Sequence, residues 1–165
     1  MALSDDIAKI IEQERILVFP SFDEEAAFLI GSAIREFGRV NSLTLVVDVR
    51  LWDRPLFYAA LPGTTADNPE WVRRKSNTVK RLHRSTYRVV LERAFDERVF
   101  PPHRALDVHE YAIAGGGFPL SVKGIGVVGA ITVSGLPERD DHGVVVDAVA
   151  RHLGFDPAAL ALAKP

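Results

Sequence analysis

Apolar positions recur along this chain at two spacings, about 3.6 and 2 residues, and the changes between them predict its elements. Ser4, Asp5 and Asp6 suit a helix start, and Ile7, Ile10 and Ile11 give that helix one apolar face up to Glu14. Residues 15–19 are a short apolar run closed by Pro20, which predicts a strand. A second helix is expected from Ser21 or Asp23, with Ala27, Ile30, Ile34 and Phe37 as its inward stripe and Gly38 near its end. Residues 43–49 and 56–61 read as a hairpin joined across residues 51–55. Asn68-Pro69 reads as N-cap and first position of a long helix, with Val72, Val79 and Leu82 facing one way and an interruption near Ser85. Pro101-Pro102 ends that segment.

The second half is organised around glycine. A strand over residues 111–114 leads into Gly115-Gly116-Gly117, and a second hairpin runs from Phe118 to Ser134 with its turn at Lys123-Gly124. Val145, Val146, Val149 and Leu153 then repeat at helical spacing up to Gly154, and Asp156-Pro157 starts one last turn. The order α-β-α-β-β-α-β-β-α predicts a single α+β domain over residues 1–165. Its sheet should be mostly antiparallel and five-stranded, with helices on both faces because residues 125–134 are apolar on both sides.

Composition narrows the function classes. A chain of 165 residues, 47% hydrophobic, can build one real core. No cysteine means no disulfide, thiol catalysis or thiolate metal site. Net charge is -2, so the overall balance does not imply nucleic acid, and no apolar run approaches the roughly 20 residues of a membrane span. The N-terminal stretch lacks the basic and continuous apolar parts of a signal peptide, so the expectation is a cytoplasmic protein.

Chemistry concentrates in three places. Arg73, Arg74, Lys75, Lys80, Arg81, Arg84, Arg88 and Arg93 supply eight of 20 basic residues and form ridges on the long helix. They read as an anion site, a partner or subunit face, or a solvated surface. The triple glycine could offer backbone N–H groups to an anion, or permit close strand packing. Ser134-Gly135 and Asp140-Asp141-His142 flank the start of the last helix. There the aspartates suit the helix dipole, and His142 could titrate, bond a core partner or ligate iron. No histidine spacing marks a metal site.

The blocks Gly116-Gly117-Phe118-Pro119, residues 129–135 with Asp140, residues 68–79 and Asp141-His142 together resemble the haem-degrading-domain (GlcG/HbpS-like) family, most closely its uncharacterised branch. The resemblance implies a profilin-like α/β/α sandwich, assembly into dimers or larger rings, and haem or another small anion as ligand. Many members have a threonine or serine cap before the last helix, whereas Gly135-Leu136-Pro137 offers none, and Gly143 weakens that helix further.

The expected function is an oligomeric small-molecule-binding module. Its pocket would lie among Arg74, Lys75, Gly115, Gly116, Gly117, Phe118, Ser134 and His142. The alternatives are an interaction protein docking through the basic helix 69–93, and an enzyme using Asp140 and His142.

Overall fold

The computed structural model describes residues 3–165. The helices are α1 (Leu3–Ile16), α2 (Glu24–Val40), α3 (Asp67–Leu82), α4 (Thr86–Glu92), α5 (Glu138–Leu153) and α6 (Pro157–Leu160). Strands β1 (Val46–Leu51), β2 (Arg54–Ala60), β3 (Gly117–Val122) and β4 (Gly126–Ser134) form one antiparallel sheet in the order β2-β1-β4-β3.

Four strands replace the expected five. Residues 15–19 contribute only a parallel bridge, Phe19 to Val122, where Phe19 N–H donates to the Ser121 carbonyl at 2.8 Å. Their side chains, Leu17 and Phe19, are core. Residues 111–114 form no strand, because their backbone is tied to α3 instead: Ala112 N–H donates to the Arg74 carbonyl and the Ala112 carbonyl accepts from Thr78 Oγ1 at 2.8 Å. Burial there came from a helix flank, which an apolar run cannot distinguish from a sheet neighbour.

The two faces of the sheet differ in chemistry. Val47, Val49, Phe118, Leu120, Ile131 and Val133 point to one face and pack with Ala27, Ile30 and Ile34 of α2 and Val145, Val146 and Val149 of α5. On the other face Ser134 and Thr132 meet α3 through Asn68 (3.4 Å) and Ser76 (3.3 Å). Gly129 permits the tight β1–β4 crossing, since a Cβ there would sit 1.9 Å from the Arg50 carbonyl. A second core of Ile10, Tyr87, Val89, Val90, Phe100, Leu106 and Ile113 joins α1 to α4 and the 102–113 loops.

Helix ends follow local chemistry with two departures. Asp23 caps α2 by accepting from Ala26 N–H at 2.8 Å, and His83 in the left-handed region (φ 54°) ends α3 just before Ser85, where the break was expected. However, α3 starts at Asp67, and Asn68 turns back to accept from Thr65 N–H rather than capping the helix. Phe37 is 46% exposed rather than inward.

Candidate functional site

The triple glycine, the first turn of α5 and Lys75 of α3 do meet, but they enclose no hollow. Gly116 adopts φ +127°, and a Cβ on it would lie 2.3 Å from the Val133 carbonyl and 2.8 Å from Lys75 Nζ. Its missing side chain is the passage through which Lys75 crosses from the α3 face to reach α5. Lys75 Nζ donates to the Val133 carbonyl at 3.0 Å and to Asp141 Oδ2 at 3.1 Å, with both side chains almost fully buried. Asp141 Oδ1 accepts from Leu136 N–H at 3.0 Å, which ties the first turn of α5 to the residue before its cap position. Burial pushes the Lys75 ammonium below and the Asp141 carboxyl above their ordinary values, with mutual attraction opposing both shifts.

Two of the three glycine amides have partners inside the protein. Gly115 N–H donates to Glu138 Oε2 at 3.2 Å, and Gly117 N–H to Thr86 Oγ1 at 2.9 Å. The expectation of bare donors lining a shared space therefore gives way to a packed junction.

His142 lies at the seam of the two cores, its ring 5.5 Å from Tyr87 and 5.9 Å from Phe118. Gln13 Nε2 donates to the Leu160 carbonyl at 2.7 Å, which turns Gln13 Oε1 toward His142 Nε2 at 2.8 Å and places the ring proton on Nε2. Nδ1 has no hydrogen-bond partner. Complete burial, with Arg139 nearby, lowers the imidazole pKa to about 3 and keeps it neutral.

The remaining candidates are dispersed. Arg74 donates Nε to the Val108 carbonyl at 3.0 Å and stacks on Trp71 at 4.7 Å, away from the glycines. Ser134 faces Asn68 across the α3 side of the sheet. Much of the basic ridge is paired within the chain: Arg73 with Glu70 and Glu110, Arg84 with Glu92, and Arg88 with Glu14 and Glu92. Asp140 and His142 do not form a dyad, since Asp140 lines an outer cleft while His142 is core.

That cleft, of about 840 Å³, opens between α2 and α5. Leu29, Ala33, Phe37, Leu136, Val144 and Ala148 make it apolar, and Asp140, Asp147, Arg151 and His152 stand among its lining. Arg151 Nε donates to Asp147 Oδ2 at 2.8 Å, whereas Asp140 has no ion pair among the described residues. Gly143 faces open space, with nothing within 4 Å of a Cβ placed there. The sequence signal that could have found the cleft was a width anomaly on α2: Phe28, Leu29 and Val40 lie outside the inward stripe, yet are large and apolar.

A sheet backed by α2 and α5 on one face and α3 on the other, with a glycine-led strand closing against the last helix, defines a class. The chain belongs to the HbpS-like family of haem-degrading proteins, whose family model matches residues 22–150. A UPF0303 protein of Mesorhizobium japonicum is 60% identical over 164 residues, covering 99% of this chain and 98% of that protein. The crystal structure of Ybr137w superposes with a TM-score of 0.81 at 23% identity, over 90% of this chain and 87% of that one. The PduOC:heme complex superposes with a TM-score of 0.62 at 19% identity, over 81% and 94%. These two structures share the fold.

The residues described above do not fit haem well. His142 is enclosed by two aromatic rings and committed to Gln13. At the cleft, His152 is accessible, but Arg151 is already paired with Asp147 and Asp140 is a carboxylate unpaired among the described residues, whereas acidic haem substituents would need free cations. Among the described residues no group of three or more His, Asp or Glu side chains could hold a metal ion, and no helix is long and apolar enough to cross a membrane.

Proposed function

We propose that this protein is a small-molecule-binding module whose ligand occupies the α2–α5 cleft. The observation that carries the proposal is an apolar concavity of about 840 Å³, within the usual range for small-molecule sites of ~300–1,000 Å³. The ligand has an apolar body held by Leu29, Phe37 and Val144 and a neutral or cationic head beside Asp140. Haem or another small anion, the occupant the family resemblance implies, is a poorer match for this lining because it meets the Asp140 carboxylate, unpaired among the described residues, while Arg151 is taken by Asp147. Separation of Asp140 from His142 supports binding rather than catalysis. Calorimetric titration with 1-aminoadamantane and adamantane-1-carboxylate tests the charge argument with one apolar body. The amine binds at least ~tenfold tighter, about 1.4 kcal/mol; equal affinity or preference for the carboxylate overturns the assignment.

A homo-oligomer is the second reading, favoured by Phe28, Leu29, Phe37 and Val40, which are 55%, 50%, 46% and 63% exposed on α2. Light scattering after size exclusion should give a dimer or larger ring that Val40→Glu shifts toward monomer. A monomeric wild type rules it out. The basic helix is a weaker docking face, because Arg73, Arg84 and Arg88 already have carboxylate partners within the chain.

A further inference from the structure

A second, smaller cavity of about 250 Å³ lies between the ends of α3 and α4 and residues 95–104. Phe95 and Phe100 supply apolar wall, their ring centroids 6.4 Å apart. Arg84, Arg93 and Arg104 also line it, with Glu92 as the acid in the lining.

The charges do not balance. Glu92 is divided between Arg84 at 2.8 Å and Arg88 at 2.8 Å, and Arg88 takes Glu14 as well. Arg93 and Arg104 have no carboxylate partner among the described residues. Arg93 Nη1 donates to the Val90 carbonyl, while its Nε is buried with no acceptor. Arg104 lies over the Phe100 ring, 5.8 Å from its centroid, which fixes a guanidinium at the mouth. Three arginines around one shared carboxylate leave this aromatic-walled cavity with a surplus of positive charge, which suits an anion supplied from outside.

We propose that this cavity binds a small organic oxyanion, a carboxylate or phosphate monoester, whose apolar part rests on Phe95 and Phe100. Arg93 and Arg104 grip the oxyanion, and Arg84 adds charge while remaining tied to Glu92. The cavity is too small for a polyanionic chain or a nucleotide, and it shares no lining residue with the α2–α5 cleft.

Calorimetry with phenyl phosphate, inorganic phosphate and phenol separates the contributions. Phenyl phosphate binds, inorganic phosphate binds at least ~tenfold more weakly, and phenol gives no measurable binding. Arg104→Gln, at an exposed position, weakens phenyl phosphate several-fold, and Arg93→Gln with Arg104→Gln weakens it more than ~tenfold. Binding of 1-aminoadamantane at the α2–α5 cleft is unchanged by either, so failure of one site is distinguishable from failure of the other. No heat with phenyl phosphate at millimolar concentration overturns the proposal. So does equal binding of phenol, or wild-type affinity in Arg104→Gln.

Discussion

His142 shows how much one residue's surroundings decide. The sequence leaves it open as a titrating group, an iron ligand or a hydrogen-bonded core residue; in the fold it is the last, a neutral ring joining two cores through Gln13, Tyr87 and Phe118. Its folded pKa, about 3, lies below the ordinary value near 6.5, so the unfolded chain binds the extra proton. This group's contribution is therefore fully present above pH 6.5 and lost as pH falls from there toward 3. The slope reaches ~1.4 kcal/mol per pH unit. Urea unfolding at pH 7, 6 and 5 should show wild type losing stability faster than His142→Gln. Parallel curves would mean that charging of His142 is not what acid does to this fold.

At the scale of elements, the start of α5 is held from outside the helix. Pro137 at its cap position offers no side-chain acceptor; Lys75 of α3 instead holds Asp141 of the first turn, which also accepts from Leu136 N–H. Removing one partner of a buried ion pair leaves a desolvated charge, so Lys75→Met should cost ~3–5 kcal/mol. Lys75→Met combined with Asp141→Asn should cost less than the sum of the single changes, because neither variant then strands a charge. Additive losses in denaturant unfolding would refute the coupling. Gly143 marks the opposite case, an undemanding position in the same helix. Gly143→Ala should stabilise by ~0.5–1 kcal/mol, since the added methyl meets nothing and helix propensity rises.

These contrasts show what a one-dimensional pattern can carry. Asp23, the break near Ser85, the Lys123-Gly124 hairpin and the Val145–Val149 stripe were legible because local backbone chemistry decides them. Asp6 and Gln13 were not: both are buried polar residues on α1, and their partners, Arg139, His142 and Leu160, lie more than a hundred positions away. The glycines left two readings open, close packing and a ligand's approach, because an absent side chain makes room equally for a ligand or for Lys75; the structure shows close packing.

For the molecule as a whole, the sandwich divides its chemistry between interior and exterior. Ion pairs and hydrogen bonds close the glycine corner, while exposed apolar side chains gather on α2, at Phe28, Leu29, Phe37 and Val40. A strand count of five failed because residues 15–19 and 111–114 are buried against the sheet edge and α3 rather than laddered into the sheet. The central claim, that ligand enters between α2 and α5, is tested most directly by a bulky side chain at Gly143, which lines the cleft and where an added Cβ meets nothing within 4 Å. Isothermal titration of 1-aminoadamantane into wild type and Gly143→Phe should show measurable affinity in the first and at least a ~tenfold loss in the second, with both proteins folded. Equal affinity in the two, or no binding to wild type, would contradict the account.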